Sequence, residues 1–226
     1  MKRKSLRKTL MDSNSVDIDS WTHNIFPTCI HIVDIKNFDK YKDSLIKETY
    51  QERDEDPIGR RLSNYQGWQS DQIYIDQSKS EILKKVILDS LSELQLQSIS
   101  PNFSMIVSGW KNINTPGSFN FRHDHPQSHL SGVLWIKTPV NSGDIVFQSP
   151  QEFIRHELLE CYTDQFKSLT DFYNTYRYTP MEGRILIFPS DLQHLVDTNK
   201  SEEDRISYSF NIRLNNKFRT FERFRN

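Results

Sequence analysis

Cysteine is nearly absent from this chain: Cys29 and Cys161 are the only two in 226 residues. Two thiols cannot build the disulfide framework of a small secreted domain, so a reducing, cytoplasmic setting is the default. Long apolar runs are missing as well. No stretch approaches the roughly twenty residues that a membrane-spanning helix needs. The basic start, MKRKSLRKTL, leads into MDSNSVDIDSW, which has no apolar core and so does not read as a secretory signal. Nor is there an excess of one charge. The 29 Lys and Arg face 30 Asp and Glu, a net charge of −1, which gives no general attraction to nucleic acid and leaves only a local basic patch as a route to one.

What is present is a very polar surface around one core. Apolar residues are 35% of the chain, aromatics 12%, and mean hydropathy is −0.69. That aromatic content, with nearly cancelling charges, argues against disorder throughout. Residues 1–20 are expected to be a solvated basic arm, or else a weak polyanion-binding one, and residues 21–226 a single domain. HIVDI (31–35) predicts a strand. Phe38, Tyr41, Leu45 and Thr49 follow at helical spacing, and QERDEDPIGRR (51–61) predicts a loop broken at Asp56-Pro57. Ser78-x-x-Glu81 has the form of a capping box opening a helix with Leu83, Ile87, Leu91 and Leu94 on one face.

Beyond residue 100 the pattern becomes short strands: FSMIVSGWKNI, HLSGVLWIK, DIVFQ, RILIFP and RISYSFNIRL. TPGS, NSGD and MEG supply the turns between them. Strands in that arrangement, with helices ahead of them, predict a mainly β double-sheet jelly roll buttressed by N-terminal helices. Residues 151–181, rich in tyrosine, interrupt the rhythm as an insertion, either a lid or packing.

Three of the seven histidines, His123, His125 and His129, fall in a seven-residue window of FNFRHDHPQSHLSGVLW. In an extended chain, side chains at i and i+2 share a face, so His123 and His125 converge while Asp124 points away. Pro126 places the pair at a strand end or edge. That is either a pair of metal ligands or two partly exposed histidines in a turn. A helical site from His125 and His129 is disfavoured by Pro126, Ser128 and Gly132. Downstream, EGRILIFPSDLQHLVDTN carries His194, and eleven residues later RISYSFNIRL alternates strictly. Ile206, Tyr208, Phe210, Ile212 and Leu214 share one face; Arg205, Ser207, Ser209, Asn211 and Arg213 share the other. The polar face either meets solvent or lines a polar cavity, where Arg205 would take a carboxylate bidentately and Ser207 would add a hydroxyl.

H-x-H, a distant His and then R-x-S resembles the iron(II)- and 2-oxoglutarate-dependent oxygenases. SHLSGVLWIKTP…SGDIVFQSP and EGRILIFPSDLQHLVDTN…DRISYSFNIRL are similar to the 2OG-Fe(II) oxygenase group found in bacteria and marine phages, and SNYQGWQS (63–70) to that group's N-terminal segment. The resemblance spans roughly residues 60–214. It implies a double-stranded β-helix with the metal at its mouth. His123 and His194 would be iron ligands, and Arg205 with Ser207 would bind the 5-carboxylate of 2-oxoglutarate. The second ligand departs from the superfamily's H-x-D or H-x-E, because His125 stands at that position. Either His125 completes a three-histidine triad, the outcome strand geometry favours, or a bulge turns Asp124 inward. His129 is expected behind the ligands or on the substrate side. Asn112, Ser131 and Asn211 are candidate cavity liners.

The activity implied is a dioxygenase using Fe(II), 2-oxoglutarate and O2, which hydroxylates a peptide or small molecule and releases succinate and CO2. Two other readings explain parts of the pattern. A three-histidine cupin-type dioxygenase would not use 2-oxoglutarate and leaves R-x-S unexplained. A non-catalytic jelly-roll module leaves the histidines unexplained.

Overall fold

Two periodicities, 3.6 and 2, sort the elements of the chain into three layers. The computed structural model describes residues 21, 22, 24, 26–151 and 159–217. The basic arm expected at 1–20, residues 152–158 of the expected insertion, and the end of the chain from 218 lie outside the described residues. The order is β1 (His31–Asp34), α1 (Asp39–Glu55), β2 (Asn64–Tyr65), β3 (Trp68–Gln69), β4 (Ile73–Tyr74), a 3-10 turn (Ile75–Gln77), α2 (Glu81–Ser98), β5 (Phe103–Asn114) and β6 (Phe119–His123). Then come β7 (Leu130–Lys137), β8 (Ile145–Gln148), α3 (Asp164–Thr170), β9 (Thr175–Tyr178), β10 (Arg184–Pro189), β11 (His194–Val196) and β12 (Arg205–Asn216).

The strands form two antiparallel sheets. The larger runs β1-β10-β7-β12-β5-β3, with β4 also on β5; the smaller runs β2-β6-β11-β8-β9. Together they make the expected mainly β jelly roll, with α1 and α2 outside the larger sheet. Alternation decides which residue goes where. Leu134 and Ile136 of β7, Ile185 and Ile187 of β10, and Ile206, Tyr208, Phe210 and Ile212 of β12 join Leu45 of α1 and Leu83, Ile87, Leu91 and Leu94 of α2 in one apolar cluster. Their neighbours in sequence, Val133, Trp135, Leu186 and Phe188, point the other way and pack with Ile145 and Phe147 of β8 between the sheets. Strand β7 is therefore buried on both faces, which is why it reads as a continuous apolar run. Gly132 of β7 lies opposite Phe210 of β12. A Cβ there would overlap the Phe210 ring, a close approach that accounts for the glycine in LSGV.

The local expectations differ from the structure in four places. Helix α1 continues through residues 51–55, and only from Asp56 is the chain a loop, because Gln51–Glu55 carry no helix breaker ahead of Pro57. The cap of α2 is Ser80, whose Oγ accepts the Leu83 N–H at 3.1 Å. Ser78, the expected cap, instead accepts the Ser80 N–H at 3.2 Å at the close of the 3-10 turn. Within the stretch expected as an insertion to residue 181, Thr175–Tyr178 form a strand that pairs with β8 in the smaller sheet. Finally, the extended conformation assumed for His125 stops short, because β6 ends at His123.

Candidate metal centre

Strands β6 and β11 carry His123 and His194 side by side, as directly paired residues. The next pair is Val196 with Asn120, so β6 contributes one more residue than β11 over this interval. That extra residue is a bulge, and it lets Asn120 and His123, an odd number of positions apart, both line the space between the sheets. His125 arrives differently. It lies in the loop after β6, and its backbone N–H donates to the Ser190 carbonyl at 2.8 Å, which fastens that loop beside the turn before β11.

One ligand atom from each of His123, His125 and His194 lies within 4.8 Å of the other two. The ring centroids are 4.4 Å apart for His123 and His194, 5.1 Å for His123 and His125, and 5.3 Å for His125 and His194. Asp124 is not in the group, so the geometry brings together three imidazoles and no carboxylate. His123 Nδ1 is 2.7 Å from the Phe121 carbonyl, and His194 Nδ1 is 2.9 Å from the Leu192 carbonyl. A carbonyl only accepts, so each Nδ1 carries the proton and each Nε2 keeps its lone pair for a ligand-seeking ion. Burial lowers the pKa of all three rings, that of His125 to about 4 and that of His194 to about 3, with the neighbouring rings adding to the effect for those two. Neutral imidazole is the form that binds a divalent cation, and borderline transition metals suit it.

Behind the histidines, the inner face of β12 closes the cavity. Arg205 and Ser207 line it and are 2% and 6% exposed, so the alternating polar face meets a cavity and not solvent. The Arg205 Nη1 donates to the carbonyls of Ser142 and Gly143 at 2.6 and 3.2 Å. Both bonds leave from Nη1, so Nε and Nη2 remain for another acceptor. Among the described residues no carboxylate forms an ion pair with Arg205. Burial lowers its pKa to about 10, which still leaves it charged at neutral pH. A buried guanidinium facing a cavity with donors to spare is built to receive an anion.

The other expected liners divide. Asn112 lines the cavity and donates from Nδ2 to Ser209 Oγ at 3.0 Å, with Ser207 Oγ at 3.5 Å. Ser131 lines it too and bonds to Ser190 Oγ and Asn211 Oδ1, both at 2.8 Å. His129 serves elsewhere: it is exposed, and its Nδ1 accepts the Leu214 N–H at 3.1 Å. Arg213, on the same face of β12 as Arg205, is exposed, donates to the Gln127 carbonyl and does not line the cavity. No pattern in the sequence pointed to Trp110, whose ring lies 5.8 Å from that of His125. Ser63, 3.5 Å from His123 Nε2, was visible only as the first residue of SNYQGWQS.

Residues 108–211, which contain the three histidines, Arg205 and Ser207, match the family model described as "Putative 2OG-Fe(II) oxygenase". No curated protein matches the chain. Among solved structures, a Pseudomonas putida prolyl-4-hydroxylase is 16% identical, with a TM-score of 0.57 over 82% of this chain and 92% of that one. HygX from Streptomyces hygroscopicus, with nickel, 2-oxoglutarate and hygromycin B bound, is 11% identical, with a TM-score of 0.54 over 82% of each chain. The 2-oxoglutarate-dependent carbocyclase SnoK from nogalamycin biosynthesis is 12% identical, with a TM-score of 0.54 over 82% of this chain and 79% of that one. At these identities the likeness is one of fold. Among the described residues no helix is long and apolar enough to cross a membrane.

Proposed function

We propose that the chain, whose residues 108–211 match the 2OG-Fe(II) oxygenase family model, is itself such an oxygenase, in which His123, His125 and His194 hold the iron and Arg205 and Ser207 hold the far carboxylate of 2-oxoglutarate. The protein is then a dioxygenase that hydroxylates its substrate and releases succinate and CO2. The observation that carries this reading is the pairing of two incomplete sites in one cavity. Three neutral imidazoles converge at its mouth, and a buried guanidinium without a carboxylate partner among the described residues waits behind them. A dicarboxylate that chelates a metal at one end and meets a cation at the other satisfies both.

The donor set fits iron(II), since three ligands at one mouth leave room for exogenous oxygen donors. Iron(II) bound there supplies, with 2-oxoglutarate and O2, the oxidising power for C–H hydroxylation. The chain's own residues do the rest. The Phe121 and Leu192 carbonyls fix the tautomers of His123 and His194. The Ser142 and Gly143 carbonyls hold the Arg205 fork in place. Asn112 orders Ser207 and Ser209 along the cosubstrate's path. Val133, Trp135 and Phe188 on the cavity wall exclude water. A three-histidine dioxygenase without 2-oxoglutarate would account for the imidazoles, but it leaves the Arg205 guanidinium buried with no purpose.

His194→Ala tests the assignment. The variant should lose stoichiometric iron(II) binding and 2-oxoglutarate turnover while keeping its fold by circular dichroism. Near-normal turnover would overturn the reading.

A further inference from the structure

A second cavity, of about 950 Å³, opens beside the metal centre between the segment leading into β1, the end of β8, β9 and α3. A row of aromatic rings on the wall of this cavity ends one ring from the metal centre. From Tyr173 it passes to Tyr176 at 6.3 Å, to Tyr178 at 5.1 Å, to Phe147 at 6.0 Å, and from Phe147 to the His194 ring at 5.9 Å, all between ring centroids. Phe147 sits directly opposite His194 in the β8–β11 pair. Phe147, 3% exposed, is thus the one ring between the tyrosine wall and the metal-ligand candidate His194.

Two features of this cleft narrow its occupant. The first is charge: its described lining contains Asp171 and no lysine or arginine. The tyrosine faces and the one carboxylate among the described lining favour apolar groups and cations. The second is that the cleft runs between sheet edges. Strand β1 ends the larger sheet and β9 ends the smaller one, and His31 of β1 and Thr175, Tyr176 and Tyr178 of β9 all line the cavity. A terminal strand presents a row of backbone donors and acceptors, and the partner that matches such a row is another extended backbone.

We propose that the cleft binds the substrate as an extended, uncharged or basic polypeptide segment, which pairs with a terminal strand and rests its side chains on Tyr173, Tyr176 and Tyr178. The inference rests on the oxygenase reading, because it takes the cleft as the approach to the iron. It names the substrate class and goes beyond the chemistry at the metal.

The test uses the full chain with iron(II) and 2-oxoglutarate under anaerobic conditions. The probes are three rhodamine-labelled degenerate dodecapeptide pools, of net charge +2, 0 and −2, followed by fluorescence anisotropy and visible absorption. The neutral and basic pools should bind saturably and perturb the visible band of the loaded centre. The acidic pool should bind at least tenfold more weakly. N-methylation of alternate peptide nitrogens should weaken binding about tenfold by removing main-chain pairing. Tyr176→Ala should do the same, whereas Tyr176→Phe keeps the ring and the affinity. Tyr176 is 44% exposed, so neither change opens the core. The peptide inference is overturned if no pool binds, if the acidic pool binds equally well, if N-methylation has no effect, or if binding leaves the band unmoved. Absence of the band from iron(II) and 2-oxoglutarate alone overturns the oxygenase reading itself; its presence without peptide binding overturns only the substrate assignment.

Discussion

Replacing Arg205 by methionine should separate cosubstrate binding from folding. The side chain is 2% exposed, and its two hydrogen bonds go to neutral carbonyls. In the cosubstrate-free protein it is therefore a buried cation hydrogen-bonded only to dipoles, with the Asp197 charge acting from farther away, a state that costs several kcal/mol in desolvation. Methionine removes that cost and keeps an unbranched apolar stem in place of the arginine's. It also leaves the Ser142 and Gly143 carbonyls short of a donor, a loss of about 1–3 kcal/mol each. These terms oppose each other, so the melting temperature of the cosubstrate-free variant should stay within a few degrees of wild type. Binding has no such offset. Truncating one partner of a buried, hydrogen-bonded charge pair costs about 3 kcal/mol, roughly a hundredfold in affinity. Calorimetric titration of 2-oxoglutarate into the cobalt(II)-loaded protein measures this directly. Arg205→Lys, which keeps the charge without the fork, should lose about tenfold. A dissociation constant for the methionine variant within threefold of wild type would refute the carboxylate clamp. So would a collapse of the fold, because Arg205 would then be a structural strut.

Two further predictions concern tyrosines. The Tyr208 hydroxyl is buried and has no hydrogen-bond partner among the described residues, so Tyr208→Phe should leave stability unchanged or raise it by about 1 kcal/mol in urea denaturation; a loss of more than that would reveal a partner for the hydroxyl. Tyr50 donates to Asp204 Oδ2 at 2.9 Å, and burial, then that bond and the Asp204 charge, push its pKa up to about 12 from 10.0. Above pH 10 the unfolded chain gives up this proton before the folded one does, so the stabilisation, complete below pH 10, drains away as pH rises toward 12. Tyr50→Phe should therefore flatten the fall of melting temperature across that window, and an unchanged slope would show that the Tyr50–Asp204 bond is not its source.

How much of this was legible in the sequence follows from which interactions were local. The alternation in RISYSFNIRL identified both faces of β12, and the apolar spacing of Leu83, Ile87, Leu91 and Leu94 identified the buried face of α2, because period alone fixes those faces. Caps and boundaries were less legible. Ser78 and Ser80 are equally good caps in isolation, and the 3-10 turn at Ile75–Gln77 chooses between them. The histidine cluster was found, although not for the reason expected. His123 and His125 do not converge as alternate residues of one strand. A bulge in β6 turns His123 inward, and a backbone bond to Ser190, 65 residues away in sequence, places His125. Long-range pairings of that kind leave no local trace. Trp110 was invisible as a cavity wall for the same reason. Its position on the inner face depends on β5 pairing with β12, where Trp110 lies opposite Ser209.

The central claim is that the histidines and Arg205 serve one bound dicarboxylate on one metal. Anaerobic titration of the protein with iron(II) and then 2-oxoglutarate, followed by visible absorption, tests it most directly. The account predicts a metal-to-ligand charge-transfer band that requires both components, saturates at one equivalent of each and disappears in His194→Ala. Iron bound with no such band on adding 2-oxoglutarate would contradict it, and would leave three histidines holding a metal for some other chemistry.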